Sequence, residues 1–303
     1  MKKTILLTGG SGLLALNWAI RMRDTFNVIL CIHEREIKLV GVTVIKLNLD
    51  SVTEIKQVLQ QIKPSVVIHT AGLTSVEVCE KNPMLAEHVN VNIARNVALA
   101  TAQLGIKLVQ ISTDHLFAGD QSFKSEDDIV HPCNVYAETK AKAEQAVQVN
   151  TEVLIIRTNF YGWGPSYRSS FSDVIINSLN AGKEIVLFEN VFYTPILVEP
   201  LVDAVHDLIN MNANGVFNVV SSTRVSKYQF GIMLAQRFAF DENLIKKGLL
   251  EDNINLVKRP LDMSLSNLKL MNTLGRNIVS LEEQIEILYN QSLYRLNSEI
   301  KSL

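Results

Sequence analysis

The feature that most constrains this chain is an apolar run, residues 4–8, closed by Gly9-Gly10-Ser11-Gly12 and followed at once by apolar residues at helical spacing through residue 24. This reads as strand, tight turn and helix. The alternation then repeats, with strands predicted over 28–32 and 42–47, a helix over 52–62 that stops before Pro64, and a fourth strand over 66–69. A long helical pattern over 86–104 ends at Gly105, and a buried strand over 106–111, a helix over 135–149 and a strand over 153–156 follow. Strands alternating with helices predict an α/β fold with a doubly wound parallel sheet, because parallel neighbours need crossover connections. Ligands of such sheets sit at the carboxyl ends of the strands.

Between a strand and a helix, the run Thr8-Gly9-Gly10-Ser11-Gly12-Leu13-Leu14-Ala15 has the context of a dinucleotide fingerprint. Gly9 would supply the tight turn, Gly12 would let backbone N–H groups approach a pyrophosphate, and Ala15 would pack helix on strand. Gly9, Ser11, Gly12, Leu13 and Leu14 are therefore the expected cofactor contacts. A ligand-free glycine turn is the plainer alternative, whereas a serine nucleophile elbow would need glycine at Leu13. At the tip of the second strand, where an acid would grip the ribose of NAD, the sequence has Ile32-His33-Glu34-Arg35. His33 and Arg35 suit a 2′-phosphate, so NADP(H) is favoured over NAD(H); an ordinary surface charge is the competing reading of Arg35.

The 29 basic and 31 acidic residues leave a formal charge of -2, with no basic run longer than Lys2-Lys3 and Lys246-Lys247, so nucleic acid is not expected as a partner. Cys31, Cys79 and Cys133 lack any Cys-x-x-Cys spacing, which argues against a disulfide framework and a zinc site. His69, His88, His131 and His206 show no metal-ligand spacing, and no protein-bound metal is expected. The apolar start is interrupted by Thr8, Gly9, Gly10, Ser11, Gly12 and Asn17, which predicts neither a membrane helix nor a signal peptide. A cytoplasmic location with no membrane partner is the expectation.

Tyr136 and Lys140 are four residues apart on a predicted helix and share a face. A nearby ammonium would stabilise the phenolate and bring its pKa toward the working pH. Ile111-Ser112-Thr113-Asp114 ends the preceding strand and presents a hydroxyl at the same sheet edge. Thr113 would hydrogen-bond a carbonyl or alkoxide, Tyr136 would exchange the proton, and Lys140 would tune Tyr136 and touch the cofactor ribose. The aromatic stretch Phe160-Tyr161-Gly162-Trp163 could stack on a nucleotide base or pack in the core.

These motifs resemble the extended short-chain dehydrogenase/reductase superfamily and, within it, the dTDP-4-dehydrorhamnose reductase family. The resemblance is carried also by Val67-Ile68-His69-Thr70-Ala71-Gly72, by Asn90, by the run from Ser112 to Gly119, by Asn134-Val135-Tyr136-Ala137-Glu138-Thr139-Lys140, and by Thr194-Pro195 and Lys258-Arg259-Pro260. It implies a Rossmann domain, residues 1–160 plus about 197–221, and a smaller mixed substrate-binding lobe, about 161–196 plus 222–303. It further implies that Ala71 and Gly72 wall the cofactor site, that Asn90 supports the lysine through water, and that Asn48 and Leu49 lie near the adenine. Thr74, Val76, Asp114, His115 and Arg259 would face a nucleotide-linked sugar. The implied reaction is hydride transfer from NAD(P)H to C4 of a 4-keto-6-deoxy sugar nucleotide, as in deoxysugar and polysaccharide biosynthesis; a homodimer is compatible with it. His115 stands where tyrosine is usual in the family, and the segment after Thr158 lacks the usual tryptophan. A sugar-nucleotide epimerase or dehydratase is the nearest alternative. A non-catalytic dinucleotide-binding subunit, like the methionine adenosyltransferase beta subunit, is another.

Overall fold

Thr4–Thr8 (β1), Asn27–Ile32 (β2), Thr43–Lys46 (β3), Val66–His69 (β4), Lys107–Ile111 (β5) and Val153–Arg157 (β6) form one parallel sheet in the order β6-β5-β4-β1-β2-β3, with Gly215–Asn218 added beside β6. This computed structural model describes residues 2–253, 255–293 and 295–303. The chain reverses its direction of winding between β1 and β4, so the crevice at their carboxyl ends is the switch point where α/β sheets bind ligands.

Side chains alternate along each strand, and the two faces bury separate cores. Ile5, Leu7, Ile68, Val109 and Ile156 pack with helices Leu13–Met22 and Val198–Asn210 on one face. Leu6, Val67, Leu108 and Ile155 pack with helices Val52–Ile62, Ile93–Gln103 and Val135–Ala146 on the other. Tyr161 and Trp163 join the first core, edge-on to Phe230 and Phe238, which settles core packing over base stacking for these two rings. Phe160 alone of that stretch reaches the cavity described below.

One expectation needs correction. The helix expected over 86–104 is instead a short helix, Pro83–Glu87, a π-helical turn, His88–Asn92, and the helix Ile93–Gln103. The wider turn carries Asn90 inward, where its amide satisfies the backbone of Leu73 on both sides, Oδ1 accepting at 2.8 Å and Nδ2 donating at 3.1 Å. The mixed lobe expected over about 222–303 contributes short strands as well as helices. Ile245–Gly248 pairs with Ile185–Phe188 in parallel, and Val225–Ser226 pairs with Phe192–Tyr193. Two to four residues are too few for a period of two to show in sequence. Among the described residues no helix is long and apolar enough to cross a membrane.

The β1 turn is shaped by Gly9, whose φ of +66° only glycine adopts without strain, and whose added Cβ would stand 2.7 Å from the backbone nitrogen of Ala71. Gly12, with φ of -80°, has no left-handed backbone to hold, although a Cβ there would stand 3.0 Å from Gly9 O. Gly9→Ala is therefore expected to cost roughly 1–3 kcal/mol, from the left-handed backbone and the clash with chain that cannot swing away. Urea denaturation measures this, and a midpoint unchanged from wild type would contradict it.

Candidate active site

A cavity of about 300 Å³ lies over the carboxyl ends of β1, β4, β5 and β6, lined by Gly12, Leu13 and Leu14 on one side and by Thr113, Tyr136 and Lys140 on the other. Ala71, Gly72, Thr74, Val76, Asp114 and His115 also line it. One fold feature thus brings together the glycine turn and the tyrosine, lysine and threonine, although more than 100 positions separate them.

The helix Leu13–Met22 has no side-chain cap at its N-terminus, unlike the helices opened by Ser51, Asn134, Ser170 and Ser226. Its first turn holds no acidic residue, and Gly12, Leu13 and Leu14 line the cavity at its positive dipole end. The donors are those of the helix start rather than of Gly12, because the Gly12 N–H is already given to Gly9 O at 2.8 Å. Gly10 is closed off in the same way, its N–H bonded to Cys31 O and its Cα facing Leu30 with no room for a Cβ. A backbone cradle that side chains would fill, backed by an uncapped helix end, fits a dinucleotide pyrophosphate.

Tyr136 and Lys140 lie on the first turns of Val135–Ala146, which starts sharply because the Asn134 side chain accepts the Ala137 N–H. The Tyr136 phenol and the Thr113 hydroxyl line the same cavity. Burial pushes the phenol's pKa up to about 12, with the Thr113 hydroxyl opposing, so at neutral pH Tyr136 carries a proton to give. The Lys140 amine donates to Ile111 O at 2.7 Å, and its own pKa falls to about 8 through burial, opposed by Glu144. Asn90 is fixed against the loop after β4. Its amide holds the Leu73 backbone and donates to Thr139 Oγ1 at 3.0 Å, which fixes the loop after β4 against the helix carrying the tyrosine.

Asp114 is buried and accepts from Asn159 Nδ2 at 2.7 Å, so the residue directly after Thr158 holds the carboxylate. The His115 ring stands edge-on to Tyr136 at 5.5 Å, its Nδ1 is buried with no partner, and burial lowers its pKa. Thr74 accepts from Arg168 at 2.7 Å and Val76 is buried against the Tyr136 cluster. Arg259 does not line the cavity; its guanidinium is bound to Glu77, with Nε left unpartnered. His33, Arg35, Asn48 and Leu49 lie outside the lining as well: His33 and Arg35 are exposed, Asn48 caps its own turn toward Asp50, and Leu49 O receives Asn96.

Three residues escaped the sequence reading. Arg168 lines the cavity, Tyr167 donates to Ser11 O at 2.7 Å, and the Lys227 amine sits 3.3 Å from the Tyr193 ring centroid, its pKa lowered to about 8 by burial. Asp114 opposes that shift and Arg259 adds to it. Only the serine cap at Ser226 marks this place in the sequence, and it announces a helix rather than a site.

His69 ends β4 beneath the cavity, its Nδ1 2.7 Å from the Thr8 hydroxyl, and burial followed by the Lys140 charge lowers its pKa to about 3. His206 is lowered to about 4, again chiefly by burial. Both are neutral in the fold and take up protons more readily when unfolded. Their contribution to stability is therefore complete above the unfolded value of about 6.5 and is lost as pH falls toward 4 and 3. Urea midpoints that decline steadily from pH 6.5 to 4 are expected, and a flat profile would contradict the neutral assignment.

A doubly wound sheet whose first strand opens on a glycine cradle, with tyrosine, lysine and threonine at the same edge, defines a member of the extended short-chain dehydrogenase/reductase superfamily. The sequence profile of the RmlD substrate binding domain matches residues 1–293, and the chain belongs to that family. It is 25% identical to the Probable low-salt glycan biosynthesis reductase Agl14 of Haloferax volcanii over 93% of this chain and 96% of that protein. A shorter stretch of 106 residues, 35% of this chain and 32% of the relative, is 38% identical to methionine adenosyltransferase 2 subunit beta of Xenopus laevis. Among solved structures, dTDP-4-dehydrorhamnose reductase from Bacillus anthracis in complex with NADP superposes with a TM-score of 0.85 at 25% identity, covering 96% of this chain and all of that one.

Proposed function

We propose that this chain is an NADPH-dependent reductase of a nucleotide-linked 4-keto-6-deoxy sugar. The observation that carries the reading is Tyr136, Thr113 and Lys140 lining the same cavity as the uncapped helix end at Leu13. Leu13, Leu14, Ala71 and Gly72 would hold the dinucleotide, and Lys140 would lie against its ribose. When bound, the reduced nicotinamide supplies a hydride to C4. Thr113 donates a hydrogen bond to the ketone oxygen and orients it, Tyr136 gives that oxygen its proton, and the product is the C4 alcohol. NADPH is preferred because Ile32 leaves the ribose position without an acid while His33 and Arg35 follow it.

The local match to methionine adenosyltransferase 2 subunit beta favours a second reading, a dinucleotide-binding subunit without turnover. A panel of dTDP-, UDP-, GDP- and CDP-linked 4-keto-6-deoxy sugars separates the two by absorbance at the nicotinamide band. Oxidation of NADPH with at least one member supports the reductase. Dinucleotide binding with no oxidation by any member supports the subunit.

A further inference from the structure

The segment between Gly164 and Ser170 roofs the cavity. It is anchored at its ends by Asp173, which accepts the N–H groups of Gly164 and Ser170 at 2.8 Å each. Between these anchors, Arg168 reaches Thr74 beyond β4 while Tyr167 reaches back to Ser11 in the glycine turn, so the segment bridges the two sides of the crevice. The Arg35 guanidinium lies over the Tyr167 ring, 4.0 Å from its centroid. Arg35 is exposed, three residues past the end of β2, and its acidic neighbour Glu36 is bound by Lys46 at 3.1 Å instead.

We propose that Tyr167 is a cofactor-specificity residue: its ring holds the Arg35 guanidinium flat at the ribose end of the crevice, so that preference for a 2′-phosphorylated dinucleotide depends on the roofing segment. The inference rests on the NADPH reading above. An exposed arginine free in water loses rotamer freedom when it grips a phosphate, and a guanidinium already stacked on an aromatic face has lost much of it beforehand. Stacking leaves the guanidinium edge, with its N–H groups, open to a phosphate. The phenol oxygen has a different task, since its bond to Ser11 O ties the roof to the glycine turn whichever dinucleotide is bound.

Dissociation constants for NADPH and NADH, measured by fluorescence titration on wild type and variants, separate these roles. Tyr167→Ala and Tyr167→Leu are each expected to lower the NADPH-over-NADH preference by about three- to tenfold, mainly through weaker NADPH binding. Tyr167→Phe keeps the ring and should keep the wild-type ratio. Arg35→Ala should abolish the preference, and adding Tyr167→Ala to it should change the ratio no further. A wild-type ratio retained in Tyr167→Ala and Tyr167→Leu, together with its loss in Arg35→Ala, would overturn this proposal alone. A wild-type protein that binds NADH as tightly as NADPH would overturn the cofactor reading and this proposal with it.

Discussion

Tyr136→Phe is expected to lower kcat by about 10²- to 10⁴-fold while leaving dinucleotide affinity nearly intact, the scale on which a positioned proton donor contributes. The substitution removes one oxygen and keeps the ring that packs edge-on to His115 and against Val76, so the wall of the cavity survives. Thr113 keeps its contacts, to Asp114 Oδ1 at 3.4 Å and from the His115 N–H at 3.3 Å. A fall in kcat with unchanged NADPH binding therefore reports the proton and not the fold. Turnover equal to wild type would remove Tyr136 from the reaction.

Arg157→Ala is expected to have the largest effect on stability, about 3–5 kcal/mol, because it strands a carboxylate in the core. Glu144 and Arg157 are both buried, and Glu144 accepts from Arg157 Nη2 at 2.8 Å, from Arg157 Nε at 3.0 Å and from Ser112 Oγ at 2.5 Å. The pair joins the end of β6, the residue after β5 and the helix that carries Tyr136 and Lys140. One turn beyond Lys140, the same carboxylate also favours the charged amine. Urea unfolding should show the loss, and Glu144→Ala should match it in size. A shift below about 1 kcal/mol would mean that the pair is solvated in a way its burial does not suggest.

The first six strands were legible because each is a short apolar run bounded by a turn, and the helices between them because their apolar period is 3.6. Tyr136 and Lys140 were legible as a pair because four residues make one helical turn. The backbone contacts of Asn90 and Lys140 were not, since each depends on a carbonyl or amide brought near by another element: Leu73 for the first, Ile111 for the second. Lys227 and Tyr167 were invisible for the same reason. Their partners, Tyr193, Ser11 and Arg35, lie up to 156 positions away, and no local pattern encodes such contacts.

The destination of the hydride is followed most directly with NADPH deuterated at the transferring position and a nucleotide-linked 4-keto-6-deoxy sugar that the enzyme turns over. One deuterium bound at C4 of the product sugar, seen by mass spectrometry and proton NMR, is the predicted result. Product or recovered sugar with no deuterium at C4, from protein that binds the dinucleotide, would contradict the reductase assignment.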